Sequence, residues 1–283
     1  MRIGEGTMIK TVFISDLDGT LLRADKTVGP ASVHILNDLL QRGLLFTVAT
    51  ARSAATAAAV LKPLALTLPG VLLNGALFYD FAAKQYTGCC PIAQKDAALV
   101  LQLCRRHGRT PFLYLMEQNE ICVLFEQLAN DCERRFYEER RGKAYKRFEQ
   151  TANLQVPAQS RPVYFTMQDS YQRLRPLYDS LCKVAGIRCV FYRDIYDQNN
   201  YYLEVFSRSA SKSNGAAQIK EALGADRLVA FGDNDNDIDL LRAADVGVVV
   251  AGASSGARQA ADIVIGSNEK DAVATWIAQN WIK

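Results

Sequence analysis

A doubly wound, Rossmann-like α/β sheet carrying an inserted α+β domain is the fold predicted by this sequence of 283 residues. Three observations predict it. Strand-like and helix-like runs alternate near the N-terminus. The same alternation resumes near the C-terminus. Between them the element order changes, and that middle stretch holds all 7 cysteines and most of the tyrosines and phenylalanines. Strands alternating with helices imply a parallel sheet covered on both faces, because each parallel crossover needs a long connection, usually a helix.

The first element is Thr11–Ser15, a β-branched and aromatic run that stops at Asp16-Leu17-Asp18-Gly19-Thr20. An amphipathic helix follows over Ala31–Arg42, closed by Gly43, a residue suited to the left-handed backbone after a helix. Strand-like runs come next at Leu45–Ala49 and Val71–Leu73. Near the C-terminus, Leu228–Phe231 and Val246–Val250 are short apolar runs separated by the helix-like Asp237–Ala244.

The middle begins with a helix, Gln94–Arg106, and a hairpin of Phe112–Met116 and Glu120–Phe125 around Glu117-Gln118-Asn119. A second such unit is the helix Tyr171–Ala185 with strands Ile187–Tyr192 and Tyr201–Phe206 around the polar turn Asp194–Asn200. Helix-strand-strand twice is a duplication of architecture without one of sequence. A helix over Leu128–Arg141 and a strand over Val163–Met167 fall between the two. Insertion points near Phe81–Lys84 and Ser207–Ser211 divide the chain into a core, residues 1–82 and 207–283, and an inserted domain, residues 83–206.

Composition narrows the function classes. A hydrophobic fraction of 49% and a mean hydropathy of −0.05 suit a globular protein. No apolar run approaches the ~18 residues of a membrane-spanning helix; Leu44–Ala51 is too short and ends at Arg52. Met1–Lys10 lacks the apolar stretch of a signal peptide, and Met8 is an alternative start because strand character begins only after it. The net charge is +3 with scattered basic residues. The densest run, Glu133-Arg134-Arg135 through Glu138-Glu139-Arg140-Arg141, interleaves both signs as a solvated helix face does. Neither a nucleic acid nor a membrane is therefore expected as a partner. An odd number of cysteines without a CxxC points to neither a disulfide framework nor a zinc site, and reduced thiols suit a cytoplasmic protein. His34 and His107 lie in helix-like stretches, where surface or packing roles are the plain reading.

Four features carry chemistry. Asp16 and Asp18 follow the first strand, and Thr50-Ala51-Arg52-Ser53 follows the strand Leu45–Ala49. Lys212 lies in Ser211-Lys212-Ser213-Asn214-Gly215, opening a helix. Gly232-Asp233-Asn234-Asp235-Asn236-Asp237 ends the strand Leu228–Phe231. In an open α/β sheet, ligands bind beyond the carboxyl ends of strands, and a helix start favours anions. Carboxylates, a hydroxyl, an ammonium and an amide together suit an oxygen-ligated Mg²⁺ and a phosphoryl group rather than a soft metal.

In this order the four features resemble the signature of the haloacid dehalogenase-like (HAD) phosphohydrolases. The α+β insertion between the second and third resembles the C2 cap of the Cof-type subgroup, so the resemblance covers nearly the whole chain. It implies a Mg²⁺-dependent phosphatase acting on small-metabolite phosphomonoesters, whether sugar phosphates, nucleotides or phosphorylated cofactors, through an aspartyl-phosphate. Asp16 would be the nucleophile, and Asp18 the acid for the leaving alkoxide and then the base for water. Asp16, the backbone carbonyl of Asp18, Asp233 and Asp237 would hold Mg²⁺, Asp237 directly or through water. Thr50 would donate a hydrogen bond to the phosphoryl, and Lys212 would neutralise charge on it and on Asp16. Asn236 is expected to contact phosphate, and Arg52 and Asn74 to face substrate. The oligomeric state stays open between monomer and dimer. A phosphomutase of the same superfamily is one alternative. A catalytically silent binding protein on this fold is another, against which the intact Asp16, Asp18, Lys212 and Asp233 count.

Two departures from the family pattern stand out. Ala51 takes the place of the usual Gly, and Ala does not enter positive φ cheaply. Ala251-Gly252-Ala253 lacks the Asn often found after Gly. Two rival motifs fail. Asp233-Asn234-Asp235-Asn236-Asp237 starts like an EF-hand loop, but Ile238 replaces the required Gly and Ala244 the bidentate Glu. Val248–Gly256 resembles a dinucleotide-binding turn, but Arg258 replaces the third glycine and too little chain follows for the ribose-reading acid. Tyr196 and Tyr201, with polar tips near the last hairpin, are candidate pocket residues, with plain packing as the competing reading.

Overall fold

The computed structural model describes residues 9–194 and 197–281. Met8 and Tyr196 lie outside the described residues. The chain divides into two compact units. One runs to Thr87 and resumes at Ser211; the other is Gly88–Ala210.

The first unit begins with β1 (Thr11–Ser15), α1 (Pro30–Gln41), β2 (Leu45–Val48), α2 (Ala54–Leu61), β3 (Gly70–Leu72), a 3₁₀ turn over Leu73–Gly75, β4 (Leu77–Asp80) and most of β5 (Gln85–Cys89), whose last two residues belong to the second unit. The second unit holds α3 (Gln94–Arg106), β6 (Phe112–Glu117), β7 (Glu120–Phe125), α4 (Asp131–Glu138), β8 (Lys146–Gln150), β9 (Pro162–Asp169), α5 (Tyr171–Leu181), β10 (Ile187–Arg193) and β11 (Tyr201–Ser207). The first unit then resumes with α6 (Lys212–Leu223), β12 (Arg227–Gly232), α7 (Ile238–Ala243), β13 (Val246–Val249), α8 (Ser255–Ala260), β14 (Ile263–Val264) and α9 (Ala272–Asn280).

In the first unit, β14-β13-β12-β1-β2 form a sheet whose pairs are all parallel. Its central strands are buried on both faces, as helical crossovers require: Val12, Phe13, Ile14, Val229 and Ala230 are all buried. Pro30 starts α1 with its φ preset for a helix, and Gly43 at φ +96° lets the chain leave it. From β1 the chain crosses to β2 on one side, and through α6 it returns to β12 on the other. The space between the carboxyl ends of β1 and β12 is therefore the topological switch point of the sheet. A smaller sheet, β3-β4-β5, joins the end of β2 through the parallel bridge Ala49–Val71.

The second unit is a sheet in the order β10-β11-β9-β6-β7-β8, antiparallel except for the parallel pair β7 and β8. The period-2 alternation of its strands sorts the side chains. Leu113, Leu115, Phe165, Met167, Leu203 and Val205 face α3 and α5 and pack with Val100, Leu174 and Leu177. The opposite face is aromatic: the ring of Phe112 lies 5.0 Å from Phe136, 5.6 Å from Phe125 and 6.0 Å from Phe148.

Several elements depart from the sequence reading. The strand expected at Val71–Leu73 stops at Leu72, because Leu73 takes φ +46°. The helix expected over Leu128–Arg141 is only Asp131–Glu138, started by the Asn130 side chain accepting from Glu133 N–H. The helix from Tyr171 ends at Leu181 rather than Ala185.

Candidate active site

The carboxyl ends of β1 and β12 bring the first and last motifs together. Asp16 N–H donates to the Phe231 carbonyl at 2.9 Å, so the chain leaving β1 is still tied to β12 where the acidic residues begin. Carboxylate oxygens of Asp16, Asp233 and Asp237 lie within 4.8 Å of one another. Lys212, at the start of α6, points Nζ into this group, 2.5 Å from Asp16 Oδ1 and 2.7 Å from Asp237 Oδ1. Ser211 caps that helix by accepting from Asn214 N–H at 3.0 Å, which fixes where Lys212 emerges. Asp16, Lys212 and Asp237 are all buried.

The loop after β12 is held by its own side chains. Asp237 Oδ2 accepts from the backbone N–H of Asp233 and of Asn234, both at 3.1 Å. Asp233 Oδ1 accepts from the Thr20 hydroxyl at 2.7 Å. Gly19 has φ +83°, and a Cβ there would stand 2.8 Å from the Asp233 carboxyl carbon. Only glycine suits that position, both for its backbone and for the close carboxylate. Ser254 joins from the loop after β13, donating its N–H to the Asp233 carbonyl at 2.8 Å and its hydroxyl to Asp235 at 2.7 Å. Thr20 was readable as the last residue of the first motif; Ser254 had no signal beyond its place after the strand at Val246.

Three carboxylates thus share one buried ammonium. Burial pushes the Asp16 carboxyl up to about 7, against the pull of Lys212 and with Asp237 and Asp233 adding to the rise. Burial likewise raises Asp233. Lys212 loses hydration too, but Asp16 and Asp237 more than offset this and hold it above its ordinary value. The uncompensated negative charge calls for another cation. An all-oxygen donor set of carboxylates fits a hard divalent ion and offers a soft one nothing.

The second motif packs beside this group through a left-handed turn. Leu73, Asn74 and Gly75 take φ of +46°, +52° and +98° in succession. The turn holds the loop after β2: Asn74 N–H donates to the Thr50 carbonyl at 3.0 Å and Leu73 N–H to the Arg52 carbonyl at 3.1 Å. Gly75 lies directly on the Ser211 backbone, so the same turn braces the entry to α6. Non-glycine residues in this conformation carry a real energetic cost, and such strain concentrates at functional sites. Thr50 is buried, and its Oγ1 accepts from Arg52 N–H at 3.1 Å, leaving the hydroxyl hydrogen free to donate. Ala51 is not among the residues at positive φ, so the usual Gly is not needed there.

The remaining expected residues fall differently. The Arg52 guanidinium is spent on Asp18: Nε donates to Oδ2 at 2.7 Å and Nη2 to Oδ1 at 2.5 Å. Asn74 makes its backbone contact only, and Asn236 is exposed; neither side chain hydrogen-bonds among the described residues. Tyr201 packs its ring 5.3 Å from Tyr171 and 5.4 Å from Phe191, a packing role. The 7 cysteines are free thiols. Among the described residues no helix is long and apolar enough to cross a membrane. A cleft of about 550 Å³ at the opposite end of the sheet, lined by Phe13, Trp276 and Trp281, carries none of the motif residues.

A sheet switch point with buried carboxylates around one lysine is the arrangement of a hydrolase built on this fold, and comparison with known proteins agrees. The family profile of the haloacid dehalogenase-like hydrolases matches residues 13–277. The chain belongs to that family. Within it the chain is a Cof-type enzyme of the phosphatase kind. It is similar to the pyridoxal phosphate phosphatase YbhA of Escherichia coli, 27% identical over 97% of this chain and 100% of that one. It is also 28% identical to the chloroplastic endoribonuclease YBEY of Arabidopsis thaliana, over 92% of this chain but 44% of that one, so it spans less than half of that relative. A solved haloacid dehalogenase-like hydrolase from Bacteroides thetaiotaomicron shares the fold, with a TM-score of 0.71 at 18% identity over 97% of this chain and 100% of that one.

Proposed function

We propose that this chain hydrolyses phosphomonoesters of small metabolites, with Mg²⁺ bound, through an aspartyl-phosphate, the acyl phosphate of Asp16. The observation that carries the reading is the Asp16 carboxylate held against Lys212 within a group of three carboxylates at the sheet's switch point. An Asp16 oxygen attacks phosphorus, and the bond to the ester oxygen breaks. Asp18 gives the departing oxygen its proton. Water then attacks the phosphorus of the aspartyl-phosphate while Asp18 takes up the proton, and Asp16 returns as a carboxylate with inorganic phosphate released. The Lys212 ammonium and the Thr50 hydroxyl face charge that grows on the phosphoryl oxygens, and both are held in place beforehand.

Asp16, Asp233 and the Asp18 backbone carbonyl would hold the metal in this reading, with Asp237 joining directly or through water. Bound Mg²⁺ supplies further charge neutralisation at the phosphoryl group. Pyridoxal phosphate is the first ester to test, since the Escherichia coli relative carries it in its name; sugar phosphates and nucleotides follow. A cytoplasmic setting belongs to the same proposal, as the free thiols suit it.

The test is phosphate release from a panel of such esters, with Mg²⁺ and with excess chelator. Release from at least one ester, abolished by chelator and restored by Mg²⁺, is the expected result. Full release in chelator, or transfer of the phosphoryl within the substrate without free phosphate, would overturn the proposal.

A further inference from the structure

Asp18 stands apart from the other motif carboxylates. It is not in the group formed by Asp16, Asp233 and Asp237, and its side chain is 54% exposed. An aspartate so exposed is free to rotate among its staggered rotamers unless something holds it. What holds it is Arg52, whose side chain is 15% exposed and whose Nε and Nη2 grip both carboxylate oxygens. A guanidinium and a carboxylate meeting at two points fix direction as well as distance.

Arg52 is itself built in. Its N–H is bonded to the Thr50 hydroxyl oxygen, its carbonyl accepts from Leu73, and Nη1 reaches the Thr56 carbonyl at 3.5 Å. The left-handed turn at Leu73–Gly75 therefore fixes the backbone from which the guanidinium extends. The less exposed side chain of the pair is the arginine; the exposed one is the carboxylate.

We infer that Arg52 is a positioning residue that works through Asp18, aiming the proton-transferring carboxylate, rather than a residue that grips substrate. The inference rests on the phosphatase reading above, in which Asp18 protonates the leaving oxygen. The two-point pair favours the ionised carboxylate, so Asp18 carries the proton on one oxygen only when that bond to Arg52 opens, while the other bond still fixes the direction from which the proton is passed; a carboxylate left to rotate loses that orientation without losing its chemistry.

Leaving-group dependence separates this role from others. An aryl phosphate such as p-nitrophenyl phosphate departs as a stable phenolate and needs little protonation. An alkyl phosphate such as glycerol phosphate needs the proton. The experiment compares kcat on both esters for wild type, Arg52→Lys and Arg52→Gln, with circular dichroism as a check on folding. The expected result is a fall of at least about tenfold in the alkyl-to-aryl ratio for Arg52→Gln, with KM for the aryl ester little changed. Arg52→Lys keeps the charge but not the fork, and should fall in between. Equal losses on both esters, or a rise in KM with the ratio unchanged, would overturn the inference in favour of substrate binding or a purely structural role. The aryl and the alkyl ester are drawn from those the wild type hydrolyses; a wild type that releases phosphate from no ester of the panel above would overturn the phosphatase reading, and this inference with it, whereas a wild type active on any of them leaves that reading standing whatever the ratio does.

Discussion

Replacing Lys212 by Met tests the electrostatics of the site without touching a proposed reacting atom. Met keeps much of the length and packing of the stem but removes the charge. Lys212 is 2% exposed and sits 2.5 Å and 2.7 Å from two carboxylates that are themselves almost fully buried. Removing one partner of a buried ion pair costs about 3–5 kcal/mol, because the remaining charges are left uncompensated. For a domain of this size each kcal/mol moves Tm by roughly 2–4 °C, so a fall of roughly 6–20 °C is expected in chelator. The assay is thermal unfolding above the Asp16 value of about 7, so that Asp16 is ionised in the wild type. A second variant, Lys212→Met with Asp16→Asn, removes one of the stranded charges and should recover part of the loss. Mutual contact makes the two changes non-additive. A single variant within about 1 kcal/mol of wild type, or a double variant with no recovery, would refute the picture of carboxylates held together by one ammonium.

Three further outcomes follow from particular contacts. Gly19→Ala should raise the Mg²⁺ needed for half-maximal activity and lower activity, because its Cβ displaces Asp233 and forces a φ of +83° on alanine; a metal titration unchanged from wild type would contradict this. Ca²⁺ should not restore activity removed by chelator, since its longer, looser coordination misplaces the nucleophile, and full rescue by Ca²⁺ would contradict that. Glu133 is buried, and burial, with Asp169 adding, lifts its carboxyl from 4.5 to about 7 against the pull of the Ala129 N–H and Arg109. Between those values the folded chain keeps a proton that the unfolded chain has released, so stability is fully present below 4.5 and is lost as pH rises toward 7. The rise corresponds to about 3 kcal/mol, so Glu133→Gln should be the more stable protein above neutral pH and match wild type near pH 4.5; identical unfolding profiles across that range would contradict the assignment.

Much of this was legible in the sequence, for reasons that can be named. Thr11–Ser15 is apolar, β-branched and bounded by acidic turn residues, and the strand has those bounds. The helix over Gln94–Arg106 has a periodic apolar face, Ala97, Val100, Leu101 and Cys104, and also keeps its bounds. Elements without such patterns were missed. β8 is Lys146-Arg147-Phe148-Glu149-Gln150, a mostly polar strand at a sheet edge whose pairing with β7 comes from tertiary context. α2 is an alanine-rich helix of 8 residues with no distinct polar face. In the site, residue types at strand ends were readable because the sheet's topology brings strand ends together. Which partner each side chain takes was not. The sequence shows Arg52 two residues after Thr50, but nothing in it says that the guanidinium turns to Asp18. The absent Gly at position 51 looked like a defect in the second motif; the positive φ lies instead at Leu73–Gly75. Backbone strain of that kind belongs to packing, and local sequence does not announce it.

The central claim is that Asp16 is the group to which the phosphoryl is transferred, and Asp16→Asn measures it most directly. Asparagine preserves size and can still hydrogen-bond, but its amide is not a competent nucleophile toward phosphorus. The measurement is phosphate release by the purified, folded variant at saturating Mg²⁺, on whichever ester the wild type hydrolyses best. The expected result is no release above background, with circular dichroism like that of wild type. Substantial turnover by Asp16→Asn would place the nucleophile elsewhere and contradict the account.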